Sequence, residues 1–168
     1  SNRIAIGSYA GAYMTSGDNS TIIGINSYKG NASVYNATAS YVTTLGANTG
    51  QYATGSYNTF IGAEAGKGGT TSAPFSSGEN NTALGYQALT AFTTGYENIV
   101  IGHQAGDAMT TAYQTVIIGS NAGSNITTGA SNVLIGNDVG SNQDDSSFNT
   151  IIGYRANSSG TSGAGDNN

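Results

Sequence analysis

The sequence predicts an all-β protein, a parallel β-solenoid or β-roll of about nine rungs, and three observations predict it. A nine-residue phrase recurs at a fixed period: NTALGYQAL (81–89), NIVIGHQAG (98–106), TVIIGSNAG (115–123), NVLIGNDVG (132–140) and NTIIGYRAN (149–157) begin 17 residues apart. Such a period marks stacked units, each burying its apolar face against its neighbours. Leu, Ile, Val and Phe make up only about 17% of the chain, a level otherwise associated with disorder. Charged residues are scarce too, at 8%, whereas a disordered chain this poor in apolar residues carries far more charge. Finally, no apolar periodicity of three to four residues is sustained, which argues against helix.

Taken in order, the phrase extends backwards to the first residues. Its central glycine falls at Gly7, Gly24, Gly46, Gly62, Gly85, Gly102, Gly119, Gly136 and Gly153. The residue before it is always Ile or Leu (Ile6, Ile23, Leu45, Ile61, Leu84, Ile101, Ile118, Ile135, Ile152), and this column is expected to fill the coil core. Three residues after the glycine stands a small or slim residue, as at Ala65, Ala88, Ala105 and Ala122. Each rung therefore reads as a four-residue strand, a glycine corner and a second short strand closed by a further glycine such as Gly106 or Gly123. Glycine suits such corners because it reaches positive φ without steric cost. Another turn signal lies seven residues before the central glycine, at Gly17, Gly55, Gly78, Gly95 and Gly129.

The opposite face of the strand does not alternate to polar, as a half-buried strand would. Two before the glycine stand Ile22, Phe60, Val100, Ile117, Leu134 and Ile151. Strands apolar on both faces are buried on both faces. One face fills the coil, and this second one is expected to pack against identical chains, most simply three around an axis. Left bare, it would be an apolar ladder larger than soluble monomers usually expose. Nine rungs spaced by about 4.8 Å make a rod segment of roughly 40 Å.

Residues 1–156 form the repeat domain, with insertions near 25–45 and 63–84, the second holding the only proline, Pro74. Insertions in a solenoid emerge as loops on one face. Residues 157–168 lack the period and read as a Gly/Ser/Asn-rich flexible linker. Because the chain opens inside the repeat phrase, it is read as a segment of something longer.

Composition narrows the function classes. The chain has four basic residues, Arg3, Lys29, Lys67 and Arg155, and a formal net charge of −5. Nucleic acid is not an expected partner, since phosphate neutralisation needs clustered Lys and Arg. No apolar run reaches 18 residues, so no membrane insertion is expected. Without cysteine there is no disulfide framework.

Candidate chemistry is sparse. His103, the only histidine, occupies a variable polar slot after the central glycine. The carboxylates Glu64, Glu79, Glu97, Asp107, Asp138, Asp144 and Asp145 are scattered over different rungs, so no glycosidase pair stands out. Neither calcium-loop signature is present. No catalytic residue, metal or cofactor is expected, and the chain is read as not an enzyme. Asn58, Asn81, Asn98, Asn132 and Asn149, each at a strand start, are expected to stack up the rod as a structural ladder. Tyr28, Tyr35, Tyr41, Tyr52, Tyr57 and Phe75 gather in or beside the irregular rungs, among Asn and Thr. They are the candidate glycan contacts, because an aromatic face with a polar rim suits a sugar.

The phrase N-T-x-I-G-Y-x-A-G, clearest in NTALGYQAL, NTFIGAEAG and NTIIGYRAN, resembles the repeats in bacteriophage tail-fibre shafts. It is also similar in style to the β-roll head of trimeric autotransporter adhesins. The resemblance covers residues 2–157. It implies a homotrimeric structural shaft of a virion tail fibre or extracellular adhesin, spacing or presenting a tip that attaches to a host glycan or protein. Two other readings compete: a single-chain solenoid that binds a regular surface such as ice, and a filament subunit that stacks end to end. The ice reading rests on Thr21, Thr43, Thr59, Thr82 and Thr150, interrupted by Ile4, Ile99, Val116 and Val133.

Overall fold

The computed structural model describes residues 2–30, 38–69, 76–141 and 145–157. Within them the rungs form as the period requires. The strands are β1 (Arg3–Ile6), β2 (Ser20–Ile23), β3 (Thr43–Leu45), β4 (Thr59–Ile61), β5 (Thr82–Leu84), β6 (Ile99–Ile101), β7 (Val116–Ile118), β8 (Val133–Ile135) and β9 (Thr150–Ile152). They make one parallel sheet whose spatial order is their sequence order, a β-solenoid of about eight turns. Equivalent residues pair throughout: Leu84 with Ile101, Ile101 with Ile118, Ile118 with Ile135, Ile135 with Ile152. The longer intervals keep this register, with Ile23 opposite Leu45 and Ile61 opposite Leu84. Extra residues are therefore shed from the connections rather than absorbed by the strands. Residues 31–37 and 70–75 of those insertions, and the tail from 158, lie outside the described residues.

Two contacts fix the register. The central glycines stack directly on one another. Gly102 has φ 139°, and a Cβ built there would land on the carbonyl of Gly119; at Gly62, φ 122°, it would lie 2.6 Å from the Gly85 oxygen. No L-residue fits such a corner without moving the next rung. The asparagines at the strand starts supply the second contact. Asn98 Nδ2 donates to the Ala112 carbonyl at 2.8 Å, and Asn98 Oδ1 accepts the Thr115 N–H at 3.1 Å. Asn81 Nδ2 donates to Gly95 O at 2.9 Å, and its Oδ1 accepts the Asn98 N–H at 3.1 Å. Each asparagine is buried, so each tie is made away from water where an unmet amide would be costly.

The core lies on the other face of the strands from the one expected. Ile22, Phe60, Val100, Ile117 and Leu134 are fully buried inside the coil, and Ile151 nearly so. They cannot be a subunit interface. Ile6, Ile23, Leu45, Ile61, Leu84, Ile101, Ile118, Ile135 and Ile152 are not the core; they are exposed or half-exposed on the outside of the sheet. Parity decides this. In a strand, residues two apart share a face. The asparagine four before the glycine reaches across the coil to a turn carbonyl, and that points the residue two before the glycine inward as well.

The interior is narrow. Opposite the inner strand column stand Ala65, Ala88, Ala105, Ala122 and Val139, closed by Met14, Phe92, Met109 and Ile126 from the return side. Sizes compensate between rungs: Phe60 lies beside Ala83 in the pairing and meets Phe92 edge-on at 5.5 Å. The polar Thr44 in this column is buried with its hydroxyl 2.8 Å from that of Ser27.

Among the described residues the expected second strand does not form. The return side is a pair of consecutive turns, because residues two and four after the central glycine both take positive φ, as at Gln104 (51°) and Gly106 (51°). Extended backbone cannot pass through that conformation. The turns still bond rung to rung, with Gly106 N–H on Ala122 O at 2.9 Å and Gly123 N–H on Val139 O at 2.8 Å.

Two stability predictions follow from this packing. Gly102→Ala is expected to cost at least about 2 kcal/mol from backbone strain and the displaced carbonyl. Gly69→Ala, whose Cβ would make ordinary contacts with a Thr93 methyl at 3.4 Å and the Ala91 carbonyl oxygen at 4.0 Å, should be near neutral; urea unfolding of both compares them. Ile117→Ala should lose about 2–5 kcal/mol by cavity formation. Ile118→Ala should lose clearly less than Ile117→Ala in a single chain, since part of the Ile118 side chain already faces water whereas Ile117 is fully buried. Equal losses at 117 and 118 would contradict the assignment of faces.

Candidate interaction face

The outside of the sheet carries two columns. One is Ile6, Ile23, Leu45, Ile61, Leu84, Ile101, Ile118, Ile135 and Ile152; the other is Ile4, Thr21, Thr43, Thr59, Thr82, Ile99, Val116, Val133 and Thr150. Both belong to one face because they stand two residues apart on the same strands. Exposure is substantial, 48% at Leu45, 43% at Leu84 and 44% at Ile99. Eight spacings of about 4.8 Å and a width of about 10 Å give a continuous patch of roughly 400 Å², within the range of the largest patch on a typical monomer and of a size that is often functional. No side chain on either column ionises. The face can exclude water against a matching surface, and it has no group that transfers a proton or holds a metal.

Two corners flank this face. On the entry side, five before the central glycine, Tyr41, Tyr57, Asn80, Glu97, Gln114 and Phe148 all adopt left-handed backbone. Tyr41 and Tyr57 are exposed and stacked, ring centroids 5.2 Å apart and 5° from parallel. One residue earlier in the rung, Tyr96 and Tyr113 stack in the same way at 5.1 Å and 5°. On the exit side Tyr86 and His103 stack at 5.6 Å. His103 is exposed, as its variable slot suggests.

Of the candidate glycan contacts, Tyr41 and Tyr57 are therefore presented to solvent, and Tyr52 is half-buried. Tyr28 is a correction. It is fully buried, its hydroxyl donates to Gly55 O at 2.9 Å, and burial raises its phenol far above the ordinary range. It occupies a slot that is glycine in most rungs, and its ring fills the coil interior beside Gly50. Tyr35 and Phe75 lie outside the described residues.

Near the second stack, Ser77, Glu79, Asn80, Thr94, Tyr96 and Glu97 line an open cleft of about 380 Å³. Sequence reading overlooked it, because its members come from two rungs and from columns that vary. The signal was the change from Glu79 to Tyr96 to Tyr113 in one column.

Amide and carboxyl side chains two residues after the central glycine form a third ladder. Gln104 Nε2 donates to Gln87 Oε1 at 3.0 Å, and Gln87 Nε2 to Glu64 Oε2 at 3.0 Å. This hydrogen bond holds the Glu64 carboxyl below its ordinary range, helped by Lys67, 3.5 Å away. Asp107 behaves oppositely. Burial pushes it up, against bonds from its own backbone and that of Ala108, and its Oδ1 is buried with no hydrogen-bond partner. Among the described residues no group of three or more His, Cys, Asp or Glu is placed to hold a metal. No described helix is long and apolar enough to cross a membrane.

Comparison with protein-family models, with curated proteins and with solved structures finds no match.

The ladder has a titration consequence. A carboxyl held below its ordinary range stabilises the fold above that range, and the contribution is lost as pH falls through the folded-state value. Gln87→Leu removes the donor. Carbon-detected NMR titration should then show Glu64 shifted up toward the ordinary carboxylate range; an unchanged midpoint would mean the ladder does not act on it.

Proposed function

We propose that this chain is a structural shaft segment of a homotrimeric fibre, of tail-fibre or adhesin type, which spaces or presents a tip that attaches to a surface. The observation that carries this is the outer column, Ile or Leu in every rung and exposed or half-exposed among the described residues. Three such faces meeting on an axis remove about 1,200 Å² from water in all, about 400 Å² for each pair of chains, which is below the roughly 1,000 Å² of a specific two-chain interface, so the contact draws its strength from repetition along the rod. A parallel trimer also suits the geometry, since equivalent rungs of three rods would then meet at the same height. The resemblance of the repeat phrase to tail-fibre shafts and adhesin heads points the same way, and would place the chain on a virion or cell exterior. The role is mechanical, with no catalytic group assigned.

A second reading is favoured by one observation. Thr21, Thr43, Thr59, Thr82 and Thr150 share the outer face with the Ile/Leu column at a fixed rung spacing, and a flat periodic Thr/aliphatic face is what a lattice such as ice would meet. The Ile99, Val116 and Val133 interruptions favour protein contact instead.

Sedimentation velocity at micromolar concentration tests the proposal. The expected species is a trimer, and Ile101→Lys with Ile118→Lys should convert it to a monomer with an unchanged β-type circular dichroism spectrum, because neither side chain is in the coil core. A folded wild-type monomer overturns the trimer, and inhibition of ice recrystallisation by that monomer would establish the second reading.

A further inference from the structure

We infer that the corner cleft between the rungs of Gly85 and Gly102 binds a neutral hexose unit of a glycan. The site belongs to one chain, lies beside the outer face rather than on it, and does not depend on the trimer. Its volume of about 380 Å³ falls in the range of small-ligand sites.

The floor is Tyr96. One face of its ring is covered by Tyr113 at 5.1 Å, which belongs to the following rung. The opposite face looks toward the preceding rung, where the same column holds Glu79 instead of a third ring. The aromatic stack therefore ends at Tyr96, and its last face opens into the cleft. An isolated aromatic plane of this kind takes the C–H face of a pyranose ring.

The rim supplies what the sugar's edge requires. Glu79 and Glu97 offer charged acceptors, which make stronger hydrogen bonds to hydroxyls than neutral groups do. Glu97 is steadied by Gln114 Nε2 on Oε2 at 3.0 Å, and by its own N–H on Glu79 O at 3.0 Å, which ties the two rungs at the cleft. The Asn80 amide and the Ser77 and Thr94 hydroxyls add donors as well as acceptors. That mixture matches a polyol, in which every hydroxyl both gives and takes a hydrogen bond. A quaternary ammonium would use the ring and the carboxylates but leave the donors idle, and it is normally enclosed by several aromatics, whereas here one ring faces an open cleft.

The test is an amide-resolved NMR titration of the isotopically labelled chain with the methyl glycosides of glucose, galactose and N-acetylglucosamine, and with choline. At least one glycoside should give saturable shifts at 77–80 and 94–97 with a millimolar dissociation constant, as fits a single shallow subsite. Tyr96→Ala should weaken it more than tenfold. Glu79→Gln should weaken it severalfold, and it leaves the ring stack and backbone in place should the first variant fold poorly. The inference is overturned by the absence of saturable shifts with all three sugars, by shifts that map elsewhere, by binding that survives Tyr96→Ala, or by choline saturating the cleft when no sugar does.

Discussion

Everything in this molecule is subordinate to the closeness with which one rung sits on the next. The sheet spacing of about 4.8 Å leaves no room between successive corners for a Cβ, and so the central glycine recurs in all nine rungs. Once those corners stack, the strands must pair in register and equivalent residues must form columns. Every other feature is a property of a column: the buried asparagines, the alanines opposite the strand, the outer Ile/Leu row, the amide ladder. The cost is borne by the corners. Non-glycine residues in three columns, among them Tyr57, Glu97, Gln87, Gln104 and Leu89, hold left-handed backbone, which an L-residue adopts at a cost of about 1 kcal/mol or more. Hydrogen bonds to the neighbouring rung offset that cost. Asn80 N–H, for one, meets Ser56 O, and Gln104 N–H meets Tyr86 O.

The period, the strand positions and the pairing register were legible in the sequence, because each rests on spacing alone. Which side of the strand faced inward was not read correctly. Ile117 and Ile118 are the same residue type, so hydrophobicity cannot rank them; the deciding clue was chemical. Asn98 shares a face with Val100, and a buried amide must find backbone partners, which only the closed side of the coil provides. The return side was misread for a similar reason. Gln104 does not announce a positive φ as glycine does, and its conformation is imposed by the rung below. Tyr28 was misjudged because a tyrosine among Asn and Thr resembles a surface residue, whereas here it replaces a corner glycine and fills space beside the small Thr44.

With the Ile22, Phe60 and Val100 column inside the coil, the outward apolar face is made by other residues of the same strands. A strand apolar on both sides still leaves one side without a partner among the described residues, and that side is the Ile/Leu column with its Thr/Val/Ile neighbour. Polar and aromatic side chains gather at the corners, where the columns vary. A solenoid whose rungs repeat regularly varies only in such columns, and the cleft beside Tyr96 lies where one of them changes: the point at which a ring stack stops.

Because the chain has no cysteine, paired spin labels can be placed without a background, and the stacking itself can be measured. Thr21→Cys and Thr150→Cys put labels on β2 and β9, seven sheet spacings apart, and dilution with unlabelled chain removes distances between subunits. Pulsed electron–electron resonance should return one narrow distribution near 34 Å, seven times about 4.8 Å. A broad distribution, or a mean far from that value, would contradict a rod built of in-register rungs.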